Sequence, residues 1–249
     1  MRRLIGAAAV WLALGLAGCT KPIEGTVLSP GRMTLNRQPY QVTAKPEIFE
    51  SSFFPDAQVA QDSLTFRFYR NFLGNLPINS GRVVACEPLT GGAQAFTTLF
   101  PKGRFPVELT VAQFGGDERV AFARILFSEA PVVKWEPALL PGQQPLPLFG
   151  EKYYGYPVDG GTGLFIDAHR LLPFTTFLQD NAVWEQLFIK SFRLETSSPL
   201  LGLLYATPRD TVATFSTGLG DGTYASYVGL DAQNRPCRLL TDFQLINWQ

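Results

Sequence analysis

Two short stretches of the chain combine aspartates with glycines in a way that could support chemistry. The first is Tyr156-Pro157-Val158-Asp159-Gly160-Gly161-Thr162-Gly163-Leu164-Phe165-Ile166-Asp167. The second is Ser216-Thr217-Gly218-Leu219-Gly220-Asp221-Gly222-Thr223-Tyr224, completed by Thr241-Asp242-Phe243 near the C-terminus. Carboxylates from Asp159, Asp221 and Asp242, if brought together, could hold a hard divalent cation such as Ca²⁺ or Mg²⁺ through oxygen ligands. They could also share a proton for acid/base work. The turn residues Gly161, Thr162, Gly163, Gly220 and Gly222 permit positive φ and close backbone approach to a neighbour or ligand. The same residue types also build ordinary tight turns, each held by an Asp side chain bonding nearby amides. Asp167 belongs less well to the cluster. An extended Gly163–Asp167 segment, at ~3.3 Å per residue, carries it away from Asp159 and towards capping the Ala168-His169-Arg170 amides.

What is missing narrows the chemistry further. His169 is the one histidine, so a multi-histidine zinc site is excluded. A Ser-His-Asp triad would need His169, and no Gly-x-Ser-x-Gly elbow presents a serine. The glycines around Gly161 and Gly220 lack the spacing and the βαβ context of a dinucleotide fingerprint, and no Gly-Lys-[Ser/Thr] loop is present. Asp159–Arg170 fails as a calcium loop, with glycines at ligand positions and Arg170 where the closing glutamate belongs.

The elements that must position these residues read as strands. Leu64, Phe66 and Phe68 alternate with Thr65, Arg67 and Tyr69, and Val107, Leu109 and Val111 alternate with Glu108 and Thr110. Arg119 to Phe127 reads as a long, mostly buried strand. Residues 137–161 form a Pro/Gly-rich connection and a candidate boundary between two halves. One helix is expected at about 176–192. Phe177, Trp184, Leu187, Phe188 and Phe192 share a face, Thr175 or Thr176 caps the start, and Pro199 lies beyond the end. Thr223–Leu230 and Arg235–Phe243 flank Asp231-Ala232-Gln233-Asn234, a four-residue hairpin loop. That register sets Tyr227 opposite Arg238 and Thr223 opposite Asp242. Asp221 then lies one diagonal step from Asp242, roughly 7–8 Å away. A slip in register would destroy the approach.

The expected fold class is mainly β (α+β), with antiparallel sheets in a sandwich-like arrangement and the 176–192 helix packed on one sheet face. Twenty Phe and eight Tyr suit sheets. Charged residues make up 17% of the chain and apolar ones 46%, which favours a packed fold over disorder. The formal net charge is zero, and the basic footprint of a nucleic-acid binder is absent.

The N-terminus locates the protein. Arg2 and Arg3 precede an uncharged run from Leu4 to Leu16, too short to span a bilayer and right for a signal peptide. Leu16-Ala17-Gly18-Cys19 ends that run as a lipobox. It implies diacylglyceryl attachment to the Cys19 sulfur, cleavage before Cys19, and acylation, as with palmitate, of the new N-terminus. Two or more chains, at ~0.8 kcal/mol per buried CH₂, hold a protein stably at a membrane. Residues 1–18 are thus a lipoprotein signal peptide, 19–39 a lipidated tether, and 40–249 a single β-rich domain. Removing Arg2 and Arg3 leaves the mature chain at net −2. Thr20, where such lipoproteins use Asp for inner-membrane retention, favours the outer membrane in a diderm host. The expected location is extracytoplasmic, lipid-anchored to a membrane of the cell envelope. That compartment permits a disulfide between Cys86 and Cys237. Their apolar strand neighbours read instead as two buried, unpaired thiols.

The motifs together resemble a known family. Val-Asp-x-Gly-Thr-Gly ending in Asp, Gly-Asp-Gly-x-Tyr and a closing Thr-Asp-Phe occur in the order seen in the bacterial domain of unknown function numbered 4241. The resemblance covers roughly residues 80–245. It runs through Cys86-Glu87-Pro88, Pro101-Lys102-Gly103-Arg104-Phe105-Pro106-Val107 and Trp135-Glu136-Pro137-Ala138. Relatives often carry Cys at the place of Leu164 and Asp-Pro at the place of Glu87-Pro88. The resemblance implies a domain and no mechanism.

Two functions follow as expectations. The first is a membrane-anchored, non-catalytic binding or interaction module with an envelope ligand or protein as partner, needing no cofactor. The second is a carboxylate- or metal-dependent hydrolase using Asp159, Asp221 and Asp242, with a divalent cation as its one candidate cofactor.

Overall fold

A computed structural model describes residues 46–88, 92–148, 150, 152–192, 200–206 and 210–248. Cys19, the tether and Pro199 lie outside the described residues. Among the described residues, no helix is long and apolar enough to cross a membrane.

The chain is mostly β, as its aromatic and β-branched content predicts. Helix α1 (Ile48–Ser51) precedes strands β1 (Gln58–Gln61), β2 (Leu64–Ile78), β3 (Val83–Cys86), β4 (Gly103–Phe114), β5 (Asp117–Leu126) and β6 (Lys134–Pro137). Then come β7 (Tyr156–Val158), β8 (Thr162–Asp167), α2 (Leu171–Phe177) and α3 (Asn181–Trp184). Strands β9 (Gly202–Ala206), β10 (Thr211–Ser216), β11 (Gly222–Tyr224), β12 (Ser226–Leu230) and β13 (Pro236–Asp242) complete the fold.

Seven strands form a curled half-barrel sheet in the order β1-β2-β4-β5-β13-β12-β6. Four more form a second sheet, β3-β8-β10-β9, and β11 pairs with β7 in a short ribbon. All pairings are antiparallel. The core lies between the two larger sheets. Val107, Leu109 and Val111 of β4 and Ile125 of β5 meet Phe165 and Phe215 of the smaller sheet there. Period-two alternation therefore sends Glu108, Thr110 and Ala112 to the opposite face of β4. On that outer face a second cluster gathers Phe49 of α1, Trp135, Tyr227 and Trp248. The Phe49 and Trp248 rings sit 4.7 Å apart, edge to face, so the first helix and the C-terminal tail pin one another.

The expected helix packs on a sheet face, against Val84, Cys86, Leu164, Ile166 and Val212. It is broken, however. α2 starts earlier, at Leu171, and ends at Phe177, with Leu178 as its C-cap. Asp180 then takes an extended backbone and caps Ala182 N–H at 2.9 Å, so α3 restarts before a π-helical turn, Glu185–Ser191. Thr175 and Thr176 do not cap. Both donate their hydroxyls back to Leu172 O, a local bond that competes with helix propagation. Phe177 falls off the packed face and is exposed.

Residues 137–161 do not separate two units. Strands β12 and β13 return after them to pair with β6 and β5. Cys86 and Cys237 are not joined to one another, and they sit in different apolar clusters on different sheets.

Candidate functional site

The motif stretches meet as loops. The β7–β11 ribbon pairs Val158 with Gly222 and Tyr156 with Tyr224. Thr217 N–H donates to Gly161 O at 3.1 Å, joining the two glycine turns. Gly161 (φ +64°) and Gly220 (φ +113°) adopt the left-handed region. A Cβ built on Gly161 would stand 3.6 Å from Gly220 Cα, so the turns touch backbone to backbone. Tyr224 Oη and Thr217 Oγ1 both donate to Gly220 O at 2.8 Å. Thr162 Oγ1 donates to Gly160 O at 3.3 Å. Phe243 packs under Gly218. The Glu87 carboxylate, buried after β3, accepts from the amides of Asp159 (3.1 Å) and Gly160. Gly163 is required by close packing. A Cβ there would lie 2.5 Å from the Phe215 ring and 3.0 Å from the Tyr156 hydroxyl. That hydroxyl is buried near Thr241 without closing a hydrogen bond, and burial pushes its pKa up. The cavity beside these loops is about 30 Å³, lined in part by Tyr156, Tyr224 and Ser226. It has room for about one water.

The aspartates do different jobs from one another. Asp159 and Asp221 are exposed, and each sits one residue beyond the paired Val158 and Gly222 at the end of the ribbon. Asp242 is buried. Its Oδ1 accepts from Gln244 N–H at 2.8 Å and its Oδ2 from Trp248 Nε1–H at 2.6 Å. Burial pushes its pKa up to about 6, against the downward pull of those two donors. The expected approach of Asp221 to Asp242 does not form. Tyr227 pairs with Leu240, and Thr223 pairs with Pro157 in the ribbon instead of facing Asp242. The cause is the turn. Asp231 Oδ1 accepts from Gln233 and Arg235 amides, both at 2.9 Å, so the loop takes in Arg235 and a bulge follows at Gly229/Leu230. Among the described residues, no three His, Cys, Asp or Glu side chains gather to hold a metal ion. Asp167 caps as expected, accepting from His169 N–H at 2.9 Å. It also accepts from the amides of Asn79 and Ser80, both at 2.7 Å.

A second site was not anticipated from sequence. A groove of about 700 Å³ runs between α1 and the outer face of the seven-stranded sheet. The strand register sets Phe72, Glu108, Arg124 and Leu240 in one row across β2, β4, β5 and β13. Arg124 donates through Nε (3.0 Å) and Nη2 (2.8 Å) to Glu108, and through Nη1 (3.3 Å) to Glu50 of α1. Its guanidinium lies 3.6 Å over the Phe53 ring. Burial pulls its pKa down, and the glutamates hold it up. Arg238 donates to both Glu50 oxygens and to Ser128 O. Arg70 donates through Nη1 to Glu108 at 3.2 Å, and its side chain is 56% exposed. Phe54 (61%) and Phe72 (56%) stand exposed along the groove. A signal existed in the sequence: charged residues are almost never fully buried unless paired. Arg124 interrupts an apolar strand and so demands a partner.

Fold and site together define a β half-barrel domain with a charged, aromatic-edged groove and a set of glycine turns closed by main-chain hydrogen bonds. Residues 76–241 match the family described as "Protein of unknown function (DUF4241)". The match spans more than half of the chain, which therefore belongs to that family. No curated protein and no solved structure matches the chain.

Proposed function

We propose that the protein is a lipid-anchored binding module of the bacterial cell envelope, tethered through Cys19, and that the Arg/Glu groove is its binding surface. One observation carries the choice of a binding module over a hydrolase. The buried motif carboxylates bond inward, Glu87 to main-chain amides and Asp242 to Gln244 N–H and the Trp248 indole N–H, whereas the groove joins a charged floor to exposed aromatics. Asp242 lies buried beneath Trp248, out of reach of an envelope substrate. Aromatic and arginine side chains are also the residues that dominate binding energy at protein interfaces.

The anchor is tested by fractionation. Wild-type protein should sediment with membranes, and Cys19→Ala should accumulate as precursor or appear in soluble fractions. Normal processing and membrane retention of Cys19→Ala would refute the anchor. The binding reading is tested by genetics. Loss of the protein's cellular phenotype in Arg70→Ala/Phe72→Ala, with no loss in Asp159→Asn/Asp221→Asn, supports it, and the reverse pattern overturns it.

A further inference from the structure

We infer that the C-terminal segment Phe243–Trp248 is a latch, closed on the Asp242 carboxyl group and opened by its ionisation, that fixes α1 and so sets one wall of the groove. This is regulation of that same surface, and it rests on the reading of the groove as the binding surface. Asp242 holds both ends of the segment. Its Oδ1 accepts from Gln244 N–H at the hinge, and its Oδ2 accepts from Trp248 Nε1–H at the tip. Gln244 takes φ +55°, a left-handed backbone that a non-glycine residue keeps only while its surroundings hold it. Gln244 Nε2 donates to Thr223 O at 3.1 Å, and Asn247 N–H donates to Gln61 Oε1 of β1 at 2.9 Å.

The tip reaches the groove through Phe49. Phe122 of β5, Trp135 of β6, Tyr227 of β12 and Trp248 surround that ring. The first three ride on paired strands. Trp248 alone of the four rides on the tail, and its ring lies nearest, at 4.7 Å. α1 is a single turn without a side-chain cap, and a helix so short has no stability of its own. Its place depends on Phe49, on the Ser52–Thr110 hydroxyl pair and on the Glu50 ion pairs. α1 and its flanks supply Glu47, Glu50, Ser51, Phe53 and Phe54 to the groove.

Charge supplies the trigger. Asp242 is buried, and among the described residues no Lys or Arg pairs with it. The titratable groups facing it are Tyr224 of β11 and Tyr227 of β12, with Tyr153 beside them. Burial, and after it neighbouring carboxylate charge, pushes Tyr224 and Tyr227 up, so both stay neutral. Opening to water therefore relieves an ionised Asp242. The closed latch binds the proton more tightly than the open one, so closure is favoured in acid and lost as pH rises through about 6. With the ordinary value of 3.8 for the open latch, the opening constant should rise about tenfold from pH 5 to pH 7.

The test is hydrogen exchange read by mass spectrometry on the full-length protein in detergent, corrected for the intrinsic pH dependence of exchange. Segments 47–54 and 243–248 should lose protection together, about tenfold between pH 5 and pH 7, while β4 should not change. Asp242→Asn should abolish the pH response of both segments. Trp248→Phe keeps a ring against Phe49 but removes the N–H, and should speed exchange of both segments at each pH. No response in the wild type, a response that survives Asp242→Asn, or opening of 243–248 without 47–54 overturns the latch. A photocrosslinker at Phe72 separates the latch from the reading of the groove. Its adduct yield should fall from pH 5 to pH 7 and stay constant in Asp242→Asn. An adduct of equal yield at both pH values in otherwise wild-type protein rejects the latch alone. No adduct at either pH rejects the groove as the binding surface, whatever the exchange shows.

Discussion

Polar side chains in the glycine turns bond mainly to the main chain, while those in the groove bond mainly to one another. Glu87, Asp167 and Asp242 each accept from backbone amides, and Tyr224 and Thr217 donate to one carbonyl. Such bonds close loops and satisfy the buried carboxylates, which would otherwise cost about 1–3 kcal/mol or more each. In the groove, five charged side chains from α1, β2, β4, β5 and β13 form one network with unspent guanidinium donors. The difference teaches that motif-like spacing and binding capacity can lie in different places. The turns, rich in family motif, bond back into the fold, and the groove proposed as the binding surface has no short sequence signature.

The comparison breaks most readily at Glu108. Glu108→Ala leaves Arg124 buried without its main partner and should cost about 3–5 kcal/mol, a fall of roughly 10 °C in Tm by calorimetry. A loss below 1 kcal/mol would mean that the network is solvated and the groove floor is not built as described.

Asp242 tests the turns through pH. Its folded pKa, about 6, lies above the ordinary value of 3.8. The folded state therefore holds the proton more tightly, and stability from this group falls as pH rises from about 4 to 6, by about 3 kcal/mol. Chemical denaturation of Asp242→Asn should show that much less pH dependence than wild type across this window. Equal slopes would place Asp242 in water.

Gly163→Ala comes next. Its Cβ would strike the buried Phe215 ring, which overpacking predicts to cost about 1–3 kcal/mol by urea denaturation. The smallest effect belongs to the exposed carboxylates. Asp159→Asn and Asp221→Asn should each change stability by less than about 0.5 kcal/mol, and millimolar Ca²⁺ should not raise the Tm of the wild type. A calcium-dependent rise lost in either variant would restore the cation reading.

Much of the fold was legible because its signals are local. The alternation around Phe66 and around Leu109 needs only neighbouring residues to be read, and Asp167 caps amides two residues on. The hairpin register slipped by two because Asp231 bonds Arg235 and extends the loop, a choice that spacing alone does not reveal. The helix broke where Asp180 found a local bond. The groove was hidden for the opposite reason. Glu50 and Arg238 lie 188 residues apart, and only the assembled sheet brings α1 over the row from Phe72 to Leu240.

The central claim, that the groove binds and the turns hold the fold, is tested most directly by photocrosslinking in intact cells with the reactive residue at Phe72 or at Asp221. The account predicts a discrete adduct from Phe72 that disappears with Arg70→Ala, and none from Asp221. An adduct from Asp221 with none from Phe72 would contradict it.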